Sequence, residues 1–164
     1  MKNVLLQFSL LILLICCNTA NSTASMLFQN DQVSQPAFNG NWEITDITFP
    51  GSGTLNVNTF QIADTKCFIA STWNFNSSAN NGSIKLNASG CPSFNSDIEW
   101  SINKDGNFAF RITGPGVKTK ADSKDFILKV SNQTTSSFQL TDVVSIDGTN
   151  KEIVYYFEKI FEFR

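Results

Sequence analysis

Apolar and polar residues alternate along most of this chain, and they do so at the period of a strand. In "SDIEWSIN", Ile98, Trp100 and Ile102 share one face, while Asp97, Glu99 and Ser101 share the other. That is the pattern of a half-buried strand. "NFAFRI" repeats it, with Phe108, Phe110 and Ile112 set against Ala109 and Arg111. The same reading takes Phe68, then Trp73 and Phe75, as the apolar positions of a strand in "CFIASTWNFN", Ile84 and Leu86 in "GSIKLN", and Phe126 and Leu128 in "DFILKV". It does so again for Phe138 and Leu140 in "SSFQLTDVVSI", and for Ile153, Tyr155 and Phe157 in "KEIVYYFEKI". "NWEITDITF" carries Trp42 and Ile44 on one face, then Ile47 and Phe49 on the other, which predicts a bulge near Thr45-Asp46. "TLNVNTFQI" is a weaker strand candidate, or part of a long loop that Pro50-Gly51-Ser52-Gly53 opens.

Turn signals separate these runs. They are Ser77 to Asn81, Gly90-Cys91-Pro92, Gly114-Pro115-Gly116, and the hairpin dipeptides Asp105-Gly106 and Asp147-Gly148. From Phe38 onward no segment shows the three-and-four spacing of an amphipathic helix. About eight strands joined by short turns predict an all-β fold, a single antiparallel up-and-down β-barrel in which one face of each strand supplies the interior. Closure of the sheet removes the exposed edges.

The first residues differ. Lys2 precedes an apolar stretch from Val4 to Cys17, broken by Gln7 and Ser9. It has the length of a signal-peptide core and falls short of the ~20 residues a membrane-spanning helix needs. Two cleavage routes are open. A lipoprotein route removes 1–16 and lipidates Cys17, with Leu14 three residues ahead of it and Cys16 where a small residue is usual. A soluble route cuts after Ala24, behind Ser22-Thr23. The first predicts a lipid-anchored protein of the cell envelope, on the outer membrane or its periplasmic face. The second predicts a secreted one. Residues 17–37, rich in Ser, Thr, Asn and Gln, read as a polar tether, so that the folded domain is expected over 38–164.

Composition narrows the chemistry. The chain has four cysteines and no histidine. With Cys16 discarded and Cys17 lipidated, Cys67 and Cys91 remain as an even pair in an exported chain. A disulfide or two buried free thiols are the readings. Metal binding and cofactors are not expected, because histidine is absent and the cysteines lack close ligand spacing. The net charge of −2 without a basic run argues against nucleic acid.

The ordered set "GNWEIT", "CFIASTWNFN", "IEWSI" and "IVYYFEKI" resembles the lipocalin-like domain of Bacteroidetes-type bacterial lipoproteins, over roughly Phe38 to Ile160. Gly40-Asn41-Trp42 matches the G-x-W mark of lipocalins. The resemblance implies that Trp42 seals the closed end of a barrel and that a late basic residue packs over its ring. Lys159 is the best placed, with Arg164 and Arg111 as rivals. Such a contact is worth roughly 0.5 to 2 kcal/mol. The departure from the family is Pro50 to Thr65, long and rich in Gly and Asn, at the barrel mouth.

Catalysis finds little support. The commonest general base at neutral pH is missing. Asp97 and Glu99 form a carboxylate pair on what reads as a solvated outer face, and no serine sits in a nucleophile elbow. Asn103 to Asn107 alternates oxygen ligands as a calcium loop does, yet lacks the distal glutamate, and a tight Asp-Gly turn accounts for it. Sequons open at Asn21, Asn76, Asn81, Asn87 and Asn132, in a chain where asparagine is abundant throughout.

The remaining clue is aromatic: fifteen Phe, three Trp and two Tyr. Trp73, Phe75, Trp100, Phe110, Phe126 and Phe138 line the expected interior, either as a filled core or as a pocket for a small hydrophobic molecule. Lys118, Lys120 and Lys124 lie near the mouth, as a solvated loop or as contacts for an anionic head group. The function expected is non-catalytic ligand binding by a monomer. The alternative is an envelope module with a filled barrel that binds protein or glycan through its loops or outer face. An exposed patch of Phe49, Phe60 and Phe68 would favour the alternative.

Overall fold

The computed structural model of the chain describes residues 33–114 and 124–161. The expected leader, Cys17, Ala24 and most of the tether lie outside the described residues, as do Lys118, Lys120 and Arg164.

Eight antiparallel strands close into a barrel in the order β1-β10-β9-β8-β7-β6-β5-β4. They are β1 (Gly40–Thr48), β4 (Thr72–Asn76), β5 (Asn81–Lys85), β6 (Asn95–Ile102), β7 (Phe108–Ile112), β8 (Phe126–Ser131), β9 (Ser137–Ile146) and β10 (Thr149–Lys159). Neighbours in the chain are neighbours in the barrel. β1 closes it by pairing with β10 on one side and β4 on the other. The long β1–β4 connection carries a small separate hairpin, β2 (Asn58–Thr59) with β3 (Ala63–Asp64).

Alternation places the core as expected. Ile98 and Trp100 on β6, Phe108 and Phe110 on β7, and Ile153, Tyr155 and Phe157 on β10 are all buried. Asp97 and Glu99 on the other face are exposed. The predicted bulge is present: Ile44 pairs with Phe157 and Asp46 with Tyr156, leaving Thr45 as the extra residue. That insertion returns Ile47 and Phe49 to the core side, where both are partly buried.

The β9–β10 turn carries left-handed backbone at Asp147 and Gly148, with φ of 50° and 74°. This is the conformation a two-residue hairpin requires. In the β6–β7 turn, the Asn103 side-chain oxygen accepts from the amides of Asp105 and Asn107, both at 2.9 Å. The oxygen that read as a calcium ligand is therefore engaged in the turn itself.

Two short 3-10 helices, Gln35–Phe38 and Thr65–Phe68, stand where the sequence pattern shows no helix. Each is only four residues long, too short to leave a periodic signature. Residues 33–37, which read as tether in the sequence, pack onto the domain. Val33 lies against the core. Gln35 accepts from the Ile102 amide at 3.1 Å and donates to Ser77 O at 3.2 Å. Gln35 thus ties β6 to the β4–β5 turn across one end of the barrel.

Candidate functional site

The barrel interior is a continuous column of aromatic rings, closed at each end by a residue that does not belong to the wall. At the closed end the 3-10 helix inserts Phe38. Its ring lies 4.7 Å from Phe138, 5.6 Å from Phe108 and 5.9 Å from Trp100. Trp42 packs on Phe138 at 4.6 Å and donates its indole N–H to the Phe38 carbonyl at 2.6 Å. Lys159, the basic residue expected over Trp42, places Nζ 5.2 Å from the ring. Gly40 has φ of +121°, and a Cβ there would come within 3.2 Å of Lys159 Cε. The G-x-W glycine therefore provides both a backbone conformation and the room for that lysine. Of the rival cations, Arg111 is engaged elsewhere, 3.6 Å from Glu99 and 3.1 Å from Asp125.

At the mouth, the β2–β3 hairpin inserts Phe60. Ring centroids lie 5.4 Å away for Phe68, 6.0 Å for Trp73, 5.0 Å for Phe110, 5.2 Å for Phe126 and 5.4 Å for Tyr155. Phe60 and its neighbour Gln61 both adopt left-handed backbone, with φ of 51° and 60°. That conformation costs roughly 1–2 kcal/mol for each such residue. The ring is thus held in the barrel against the local preference of its own backbone.

The structure brings the six interior candidates together. Trp73, Phe75, Trp100, Phe110 and Phe138 are buried, and Phe126 is partly buried at the rim beneath Lys124, whose Nζ lies 5.9 Å from its ring. Three residues now sit among them that sequence reasoning did not assign to the interior. Phe38 had no strand pattern around it, and Phe60 stood in a segment too short to alternate. Phe68, which the sequence pattern places in the strand of "CFIASTWNFN", belongs instead to the second 3-10 helix, and the strand begins only at Thr72. The exposed patch of Phe49, Phe60 and Phe68 does not form: Phe60 is 5% exposed, Phe68 is fully buried and Phe49 is partly buried. The barrel mouth offers these rings an apolar surface, and the hairpin folds inward to use it.

Polar groups punctuate the column. The indole N–H of Trp73 donates to Ser71 Oγ at 3.0 Å, and that of Trp100 to the Asn81 carbonyl at 2.8 Å. Under the hairpin, buried Thr59 and Thr65 pair through their hydroxyls at 2.8 Å. Tyr155 directs its phenol to Thr59 Oγ1 at 3.4 Å.

Asp142 lies on the same face of β9 as Phe138 and Leu140. Burial pushes its carboxyl above the usual carboxylate range, against the lowering effects of the Val143 amide and the Lys124 charge. Its folded form therefore holds a proton that the unfolded chain has already lost. Stability is expected to fall as pH rises through the interval just above the ordinary carboxylate value. Asp142→Asn should flatten this slope, as measured by urea midpoints between about pH 4 and about pH 7. An unchanged slope would assign the titration elsewhere.

The disulfide is present: Cys67 and Cys91 are bonded, with Cα atoms 5.6 Å apart. It ties the 3-10 helix behind the hairpin to the β5–β6 connection. Among the described residues, no three or more His, Cys, Asp or Glu side chains converge to hold a metal ion, and no helix is long and apolar enough to cross a membrane.

No family model matches the chain, and no curated protein sequence matches it. Solved structures do. An odorant-binding protein from bovine nasal mucosa is similar over 80% of this chain and 76% of its own, at 11% identity and a TM-score of 0.46. The bovine protein in complex with a selenium-containing odorant is similar over 79% and 77%, again at 11% identity and 0.46. A further odorant-binding protein matches over 81% and 78%, at 13% identity and 0.44. The closed eight-stranded architecture stands on this chain's own strand order.

Proposed function

We propose that this chain is a non-catalytic binding protein of the lipocalin-like kind, and that its barrel takes a small apolar molecule into the space now filled by the Phe60 ring. The observation that carries this reading is the origin of that ring. Phe60 comes from a hairpin outside the wall, on strained backbone, and its ring meets those of Phe68, Trp73, Phe110, Phe126 and Tyr155. Moving one hairpin would vacate a ring-sized apolar site while leaving the barrel ladder intact. Affinity would come from burying ligand surface, at about 25 cal/mol per Å² before ordering costs.

The apolar stretch ending at Cys17 supports export and anchoring through a lipid on that cysteine. Release after Ala24 is the soluble variant of the same proposal. A disulfide-bonded domain fits an oxidising compartment.

The test is mass spectrometry of an organic extract of the protein purified natively from its own envelope, against an unrelated envelope protein handled identically. A stoichiometric small apolar molecule absent from the control is the expected result. An empty extract from folded, monodisperse protein would move the assignment to the second reading, a filled barrel that binds protein or glycan through its loops or outer face. The close ring packing throughout the interior favours that reading, with Phe138 and Phe157 stacked at 4.5 Å and Trp100 and Phe108 at 5.4 Å.

A further inference from the structure

We infer that the molecule taken up is a neutral aromatic compound with one hydrogen-bond acceptor beside its ring, such as an aryl ketone, and that Tyr155 recognises the acceptor. The inference rests on the binding reading above and gives it a ligand class.

Tyr155 is fully buried on β10. Its phenol is directed at Thr59 Oγ1, 3.4 Å away, a long contact for an O–H donor. Thr59 precedes Phe60 in the chain. Any movement that withdraws the Phe60 ring also withdraws the acceptor that Tyr155 uses. The vacated space is then ring-shaped, lined by Trp73, Phe110 and Phe126, with an unpartnered phenol O–H at its side. A buried donor without a partner is costly, and a ligand supplying an acceptor removes that cost. Thr59-Phe60 thus acts as an internal stand-in for the ligand: one ring, with one oxygen next to it.

Other polar groups nearby are already engaged. The indole N–H groups of Trp42, Trp73 and Trp100 all donate to protein oxygens. Thr65 donates to the Val57 carbonyl at 3.1 Å. Charge works against an anion. Burial, with a further contribution from Asp142, pushes the Tyr155 phenol far above its ordinary range, so it stays a donor. A carboxylate entering there would lose its water and meet the same Asp142.

The test titrates the purified chain with acetophenone, cumene and benzoate, following tryptophan fluorescence. Acetophenone and cumene share one heavy-atom skeleton and differ in the carbonyl. Saturable binding of acetophenone is expected, with its carbonyl stretch in the complex below the value in a hydrocarbon solvent. Tyr155→Phe should weaken acetophenone by about fivefold to tenfold and leave cumene within about twofold. Benzoate should not bind saturably. An unshifted carbonyl stretch on the wild-type protein would overturn the inference without any variant, as would equal losses of acetophenone and cumene. Saturable cumene with no acetophenone binding would remove the recognition by Tyr155 while the binding reading stood. If neither compound enters the wild-type protein or Phe60→Ala, both fall together.

Discussion

Phe60→Ala is expected to weaken the fold by about 3–5 kcal/mol and, in the same molecule, to create a site that takes up benzene or toluene. The loss follows from the ring's surroundings. At 5% exposure it contacts five aromatic side chains, and truncation removes those contacts and leaves a void beneath the hairpin. The barrel wall is held by its own ladder and cannot close onto a gap made by a residue outside it. The gain follows from the same geometry, because a void lined by Trp73, Phe110 and Phe126 is dry and apolar. Urea unfolding followed by tryptophan fluorescence measures the first effect, and Trp73 lies close enough to report it. Adding toluene at about a hundred times its Kd should restore about 2.7 kcal/mol. A variant that loses stability without regaining it in toluene would show that the hairpin collapses into the space, which would count against a vacatable site.

Replacing both Cys67 and Cys91 by Ser is expected to cost about 3–4 kcal/mol. The bond closes a loop across a sequence separation of 24, and most of the penalty arises from the freedom the unfolded chain regains. The location of the bond predicts more than a lower midpoint. Cys67 lies in the 3-10 helix immediately after β3, so the hairpin is tethered on that side through the disulfide. On its other side lies the glycine-containing Pro50-to-Gly53 turn. Without the bond, amide exchange should accelerate at Ile62 and Thr65, whose N–H groups bond only within the hairpin segment, to Thr59 O and Val57 O. The β9–β10 ladder should keep its protection. Equal acceleration in both places would mean the disulfide stabilises the barrel as a whole and does not specifically hold the hairpin.

The barrel wall was legible in the sequence because each of its strands is long enough to alternate. β6 reads in/out over eight residues, and the Asp-Gly pairs mark turns whose positive φ the structure shows. The bulge at Thr45 was legible for a related reason: an apolar pair out of phase with its predecessors needs an extra residue. The two ring-bearing plugs were not legible. β2 and β3 have two residues each, which gives no period to detect. Phe60 in "NTFQI" looks like any surface aromatic until the hairpin is folded inward. Phe38 sits in a one-turn helix preceded by polar chain, and only its meeting with rings distant in sequence, those of Trp100, Phe108 and Phe138, gives it a place. The contact of Tyr155 with Thr59 spans 96 residues and depends on the hairpin's position. The wall thus follows local periodicity, whereas the site depends on long-range contacts that leave no local pattern.

The pairing of β1 with both β4 and β10 has a kinetic meaning. Trp42 faces Lys159 across the closing ladder, so the first strand waits for the last before its amides and carbonyls on that side are satisfied. A chain emerging N-terminus first can build β4 to β9 hairpin by hairpin, through contacts that are short-range and fast to form. Throughout that interval β1 and β9 remain open edges able to pair with a foreign strand. Closure then comes as a late step with a long loop to join, and folding speed should respond to changes along the β1–β10 seam more than to changes in the interior rings.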